Sequence, residues 1–229
     1  MLLLLAAVQA AGSAALPADA VAAERAFAAD AATLGTWAAF RKWAAPNATM
    51  FDPQPVNPTT LLRDRAELPR PIRWSPAASY VSCNGAVAAN TGPWTHGRER
   101  GYFTTVWAHS GDGWRWLVDG GDTLRVPRPA VSRPAVRKAS CRGTAPGPTI
   151  SVAGDEKVGQ GAARDNTLQW RWTVQPRGKR RFTVTLWNGS AFDTVIDDII
   201  AAPSPRSLGA TLDGTSPAGL GPSTGDGPA

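Results

Sequence analysis

The chain has 229 residues, of which 43% are hydrophobic, and it carries a formal net charge of +6. This length suits one large domain, or one domain with a small appendage, and the apolar share is high enough to build a buried core. The charge does not indicate nucleic-acid binding, because its whole excess lies in one proline-containing segment without interleaved aromatic residues or a recognisable reading helix. That segment has no acidic residue, and its basic residues are Arg125, Arg128, Arg133, Arg137, Lys138 and Arg142.

The N-terminus has the composition of an export signal. Residues 1–16 are apolar and uncharged and end in small residues, and the run is too short to cross a bilayer comfortably. We therefore predict a signal peptide over residues 1–18, and no later segment is long and apolar enough to predict a membrane span. The alanine-rich, arginine-over-lysine composition is typical of a bacterium, so the expected location is the periplasm or the medium.

Cys83 and Cys141 are the two cysteines of the chain. Two cysteines fit an oxidising compartment, and a bond between them would tie the basic segment to the region before it through a long loop. Their spacing alone does not decide whether the two side chains meet. A possible disulfide between them is therefore left open at this point.

Residues 19–45 are predicted to form two helices. Phe27, Ala31 and Leu34 recur at the spacing of one buried helical face, and Gly35 indicates a break after which a second helix starts. The pattern then changes to β, with two apolar runs on either side of the tight-turn dipeptide Asn84-Gly85. Two helices followed by a meander of about four strands predict an α+β domain.

In the last two of these strands the side chains alternate regularly between the two faces of the sheet. Residues 102–109 place Tyr102 and Val106 on one side and Trp107 on the other, and residues 114–118 continue the pattern after a turn. The predicted domain covers residues 19–124.

The rest of the chain divides into three predicted segments. Residues 125–149 are a basic connector containing proline, expected to be a solvated linker. Residues 150–202 are a β-rich extension, in which an alternating run at 168–174 and a return strand predict a small β-hairpin subdomain. Residues 203–229 are mostly Pro, Gly, Ser and Thr, which predicts a disordered tail.

Residues 23–51, together with TGPW at 91–94 and DGWRWLVDGG at 112–121, resemble the NTF2-like superfamily. The likeness is strongest to its SnoaL-like and DUF4440-type bacterial members and covers about residues 19–124. It implies N-terminal helices packed on a curved antiparallel sheet, with a conical cavity between them. Members of this superfamily use the cavity for catalysis on apolar molecules or as a binding or dimerising module, so the resemblance does not select a reaction.

The resemblance also implies candidate site residues. Isomerase-like members need a carboxylate base and a Tyr/acid pair that donates to an enolate oxygen, and Asp52, Tyr102 and Asp119 are the candidates for such a set. The cavity walls are expected to carry indole rings, because ten Trp accompany only six Phe and two Tyr. The candidates for the cavity lining are Trp74, Trp94, Trp107 and Trp116. Sequence leaves open which Trp residues line a cavity and which fill the core.

Several common catalytic motifs are absent from the sequence. His96 and His109, its two histidines, have no Cys or carboxylate at metal-ligand spacing, and the chain contains no Gly-x-Ser-x-Gly, phosphate-binding or dinucleotide-binding motif. We therefore expect no metal and no cofactor. Three hypotheses remain. The first is a non-catalytic pocket or scaffold domain for a small apolar or aromatic molecule, and the second is a cavity isomerase, cyclase or hydrolase acting on a small apolar molecule. The third is an interaction module that forms a homodimer through its sheet or docks its basic connector on an acidic partner.

Overall fold

The computed structural model describes residues 16–149, 151–152 and 154–203. Residues 1–15 of the predicted signal peptide and residues 204–229 of the predicted tail lie outside the described residues. The helices are α1 (Ala20–Leu34), α2 (Thr36–Trp43) and α3 (Pro58–Leu61). The strands are β1 (Ala44–Asp52), β2 (Gln54–Val56), β3 (Arg73–Trp74), β4 (Ala78–Val81), β5 (Val87–His96), β6 (Glu99–Ser110), β7 (Gly113–Thr123), β8 (Ala135–Lys138), β9 (Lys157–Ala162), β10 (Leu168–Val174), β11 (Arg180–Trp187) and β12 (Phe192–Ile200).

The strands form two sheets. The larger has eight strands in the order β2-β1-β7-β6-β5-β4-β8, with β3 paired to the end of β5. It is mixed, because β1 runs parallel to β7 and β4 runs parallel to β8, while its other pairs are antiparallel. The smaller sheet is an antiparallel one of four strands in the order β12-β11-β10-β9.

The predicted fold class is therefore wrong. In the described part of the chain strands account for 45% and helices for 15%, so the protein is mostly β rather than α+β. The sheet next to the helices is mixed rather than a purely antiparallel cone, and the predicted β-hairpin is a four-stranded sheet. The mixed pairing was missed because each parallel pair joins strands far apart in the chain, so no local turn signal marks it.

The two N-terminal helices have identifiable caps. The Asp19 side chain accepts a hydrogen bond from the Ala22 amide at 2.8 Å and so begins α1. Gly35, with φ of 100°, separates the helices as its sequence position predicts. The Glu67 carboxylate accepts hydrogen bonds from the first free amides of α2, those of Trp37 and Ala38, at 2.8 and 2.7 Å. A carboxylate from a distant loop thus caps the N-terminus of α2 in place of a local side chain.

The large sheet separates two hydrophobic cores. Helices α1 and α2 pack on one face, around Phe27, Trp107 and Trp116, and the four-stranded sheet packs on the other face, around Val106 and Val184. The alternation predicted along β6 is confirmed, since Trp107 and Val106 point to opposite cores. The molecule thus has three layers: helices, large sheet and small sheet.

The basic segment does more than link the two sheets. Within it β8 adds a parallel strand to β4 at the edge of the large sheet, although all four of its residues are exposed. Just beyond β8, Cys141 forms a disulfide with Cys83, which lies in the turn between β4 and β5. The connection to the small sheet is therefore held to the large sheet by main-chain pairing and by a covalent bond.

Candidate functional site

A cavity of about 370 Å³ lies between the helices and the large sheet. A cavity of this size falls within the range usual for small-molecule sites. All three layers contribute to its wall, because α1, α2, five strands of the large sheet and the first residue of β11 line it. The lining residues are Phe27, Trp37, Phe40, Met50, Phe51, Ile72, Trp74, Trp94, Phe103, Asp119, Gly120, Gly121, Asp122, Thr123 and Arg180.

Aromatic side chains held edge to face make up much of the wall. The ring of Phe27 lies 4.8 Å from that of Phe40 and 4.7 Å from that of Trp74, and Trp37 lies 5.7 Å from Phe40. All three pairs are T-shaped, the arrangement that aromatic quadrupoles favour. The wall is therefore apolar and made of rings that hold one another in place.

Asp119 is the carboxylic acid deepest in this wall. It lies on β7, where its Oδ2 accepts a hydrogen bond from the Thr105 hydroxyl at 2.6 Å, and it keeps part of its surface open to the cavity. Burial raises the pKa of Asp119 to about 7, against the weaker opposing effect of the Thr105 hydrogen bond. Near neutral pH the carboxyl can therefore both accept and donate a proton.

A second acid, Glu24, lies behind the aromatic wall on α1. It is 0% exposed, and its carboxylate accepts hydrogen bonds from the indoles of Trp107 at 2.6 Å and Trp74 at 2.8 Å and from the Asn90 amide at 3.3 Å. Burial, helped by the neighbouring Asp119 charge, raises the pKa of Glu24 to about 7 although these hydrogen bonds act in the opposite direction. Because Trp74 also lines the cavity, Glu24 fixes the position of one wall.

Polar side chains of the lining are found where β7 ends. Asp122 accepts a hydrogen bond from the amide of Thr123 at 2.7 Å, and Thr123 is exposed. Opposite them Arg180, from the small sheet, donates a hydrogen bond to the Gly121 carbonyl at 3.2 Å. The cavity thus has an aromatic interior with one half-buried acid and a polar side at the end of β7.

The structure places the four predicted lining tryptophans in two different settings. Trp74 and Trp94 line the cavity. Trp107 and Trp116 are both 0% exposed and fill the core beneath the helices, where their indole N–H groups bond to Glu24 and to the Phe40 carbonyl. The wall also contains Trp37, which was not among the candidates.

The predicted catalytic set is not brought together. Of its three members only Asp119 lines the cavity. Asp52 lies outside the lining and faces Arg65, with 3.9 Å between the charged atoms. Tyr102 lies under the guanidinium of Arg128, 4.0 Å from its ring centre, on the opposite face of the large sheet.

The cluster around Tyr102 joins the two sheets rather than forming part of the cavity. Asp198 of β12 accepts a hydrogen bond from Thr104 at 2.7 Å and lies 3.8 Å from Arg128. Burial raises the pKa of Asp198, and burial together with the Asp198 charge raises the pKa of Tyr102.

Sequence reasoning also missed Glu24 and Arg180, the two charged residues that shape the site. Glu24 lies three residues before Phe27 and seven before Ala31, so the helical period places an acid on the buried face of α1. This position could have identified Glu24 as a site residue. Arg180 follows the turn between β10 and β11. No sequence pattern marks it as a cavity residue, because only the packing of the two sheets brings it to the cavity. In the described residues no three His, Cys, Asp or Glu side chains group as metal ligands. Nor does any described helix have the length and hydropathy needed to cross a membrane.

Comparisons with known proteins identify no family for this chain. No family model matches it, and no curated protein matches it. Among solved structures, a proposed Ca/calmodulin-dependent kinase II association domain from Exiguobacterium sibiricum 255-15 matches at 15% identity, over 44% of this chain and 91% of that chain, with a TM-score of 0.31. A likeness this low carries no argument about fold or function.

Proposed function

We propose that the protein binds a small aromatic or apolar molecule in the cavity between its helices and its large sheet. The observation that carries this proposal is the 370 Å³ cavity walled by Phe27, Trp37, Phe40, Trp74 and Trp94. Apolar walls with a few convergent polar groups are the usual composition of ligand pockets. A molecule of two fused aromatic rings is the class of ligand that such walls favour.

Export is part of the same proposal. The bond between Cys83 and Cys141 supports an oxidising compartment, such as the bacterial periplasm or the medium. Membership of residues 19–124 in the NTF2-like superfamily and formation of a homodimer remain proposals of the same kind, and both rest on the sequence.

Calorimetric titration of the full oxidised chain with 2-naphthol tests the proposed binding. We expect saturable binding at one site in the parent and strongly weakened binding in Ile72→Trp, because the larger ring takes up cavity space at a lining position. The matched control is Ile199→Trp, since Ile199 is 64% exposed on the small sheet and is outside the lining. Equal binding by the parent and by Ile72→Trp would place the ligand elsewhere, and no binding by the parent would reject the proposal.

A second candidate function is proton transfer on a bound carbonyl compound. The observation that favours it is Asp119, whose raised pKa suits a general base and whose carboxyl lies in an aromatic cavity. In this reading Asp119 takes a proton from the carbon next to the carbonyl and returns it, while the rings exclude water.

Exchange of the α-protons of 2-tetralone for deuterium, followed by NMR in D₂O, tests this second candidate. We expect the parent to accelerate exchange and Asp119→Asn to lose about 100-fold of that acceleration, the usual contribution of a positioned base. Asp52→Asn is the control, because Asp52 faces Arg65 outside the lining and should keep the parent rate. If the parent exchanges the α-protons no faster than buffer does, proton transfer is rejected and only the binding function remains.

A further inference from the structure

Arg180 reaches the cavity from a different layer from the other lining residues. It is the first residue of β11, in the small sheet, yet its Nη2 donates to the Gly121 carbonyl at 3.2 Å and its guanidinium carbon lies 4.7 Å from the centre of the Phe51 ring. Gly121 and Phe51 are both cavity residues. The guanidinium is therefore held against the wall by one hydrogen bond and one ring.

The charge of Arg180 has no ionic partner among the described residues. No carboxylate oxygen there lies within 4.0 Å of it. Arg181, the next residue, is different: its Nε and Nη2 bond to both carboxylate oxygens of Asp197, at 2.7 and 2.8 Å. A guanidinium has five N–H donors, and the hydrogen bond to Gly121 uses one of them.

The surroundings of Arg180 favour an added anion. Its side chain is half-buried, and burial lowers the pKa of the guanidinium. Asp122 is near enough to oppose that shift, but it forms no ion pair with Arg180, and it accepts a hydrogen bond from Thr123. A partly desolvated charge without an ion pair is costly, and a ligand that supplies the anion relieves the cost.

We propose that the ligand of this cavity is an aromatic carboxylate, whose carboxylate pairs with Arg180 while its rings lie against the aromatic wall. The inference rests on the proposed binding function and names its ligand class. A guanidinium fork matches a carboxylate in plane and spacing, and two parallel hydrogen bonds fix the ligand's direction. The small sheet is then part of the site, because it supplies the residue that recognises the ligand's charge.

Asp119 makes this recognition directional. It lines the same space and disfavours an anion placed next to it, whereas Asp122 lies near Arg180 and subtracts from the gain that an anion makes there. The carboxylate gains only at the Arg180 side, and the rings are left to fill the apolar interior. A neutral carboxamide of the same shape loses the charge and one of the two acceptors that face Arg180, and it keeps the contacts with the rings.

Calorimetric titration with naphthalene-2-carboxylate and with its neutral analogue naphthalene-2-carboxamide tests the proposal on the full oxidised chain. We expect the parent to bind the carboxylate about tenfold or more tightly than the carboxamide, as charge-assisted hydrogen bonds predict. In Arg180→Gln the affinity for the carboxylate should fall about 10- to 100-fold, with the carboxamide affinity changing little. Arg181→Gln is the matched control and should behave as the parent, because Arg181 is paired with Asp197.

The outcomes separate this proposal from the one on which it rests. Carboxamide binding by Arg180→Gln shows that this variant is folded and that its cavity is intact. Arg180→Lys should recover part of the preference for the carboxylate, because lysine restores the positive charge. Equal affinity of the parent for the two compounds, with no effect of Arg180→Gln, would overturn the role of Arg180 and leave the aromatic cavity standing. Failure of the parent to bind either compound would overturn both.

Discussion

Trp107→Ala should lower the free energy of unfolding by about 3–5 kcal/mol, the usual cost of deleting a fully buried large aromatic side chain. Trp107 is 0% exposed, and its ring meets those of Phe27 and Trp43 at 5.9 and 5.8 Å. Its indole also donates to Glu24, so the variant leaves a buried carboxylate with one donor fewer. Urea unfolding followed by far-ultraviolet circular dichroism measures the loss.

Two companion variants separate packing from the hydrogen bond. Trp107→Phe keeps an aromatic ring but removes the N–H donor. It should therefore lower the free energy of unfolding, but by less than Trp107→Ala does. Trp94→Ala, at a half-buried cavity position, should cost less than Trp107→Ala because the Trp94 side chain is already partly exposed. If Trp107→Ala unfolds at the parent's urea concentration, the indole is not a core residue and the described packing is wrong.

The stability of the folded protein should fall as the pH rises from about 5 to 8. The pKa of Glu24 is raised from 4.5 in the unfolded chain to about 7 in the folded one, so the folded state holds a proton that the unfolded state has released. The stability linked to this group is complete below pH 4.5 and is lost as the pH passes through 7, by about 3 kcal/mol. Asp119, raised from 3.8 to about 7, acts in the same direction.

Thermal unfolding at a series of pH values measures this dependence. The parent should melt at a lower temperature at pH 8 than at pH 5, and Glu24→Gln should flatten the slope without abolishing it, because Asp119 remains. Asp193 and Asp197 do not mask the effect, since hydrogen bonds from Arg137 and Arg181 lower their pKa values and move their contribution to acid pH. A melting temperature that is constant or rises between pH 5 and 8 would contradict the raised pKa values.

The sequence predicted the local elements of the N-terminal part but not how they assemble. The helix break at Gly35 and the two-faced alternation along β6 are confirmed, because each depends on residues next to one another. The prediction that Leu34 is buried was wrong, since its side chain is 52% exposed at the end of α1. The parallel pairs of β1 with β7 and of β4 with β8 could not be read, because each partner lies far along the chain and neither pair carries a turn signal.

The site shows the same division between local and long-range information. A resemblance to a known superfamily proposed Asp119, Trp74 and Trp94, and the structure places these three at one cavity. It also proposed Tyr102, which the pleat of β6 turns to the opposite face. Arg180 depends on the docking of one sheet against the other, which no period or motif in the sequence encodes.

A crystal structure of the full oxidised chain with naphthalene-2-carboxylate tests the central claim most directly. We expect the rings to lie among Trp37, Trp74 and Trp94, and the carboxylate to lie within hydrogen-bonding distance of the Arg180 guanidinium. Rings in the cavity with the carboxylate turned away from Arg180 would keep the binding function and reject the ligand class. A cavity that stays empty at saturating ligand, or that side chains fill, would contradict the account.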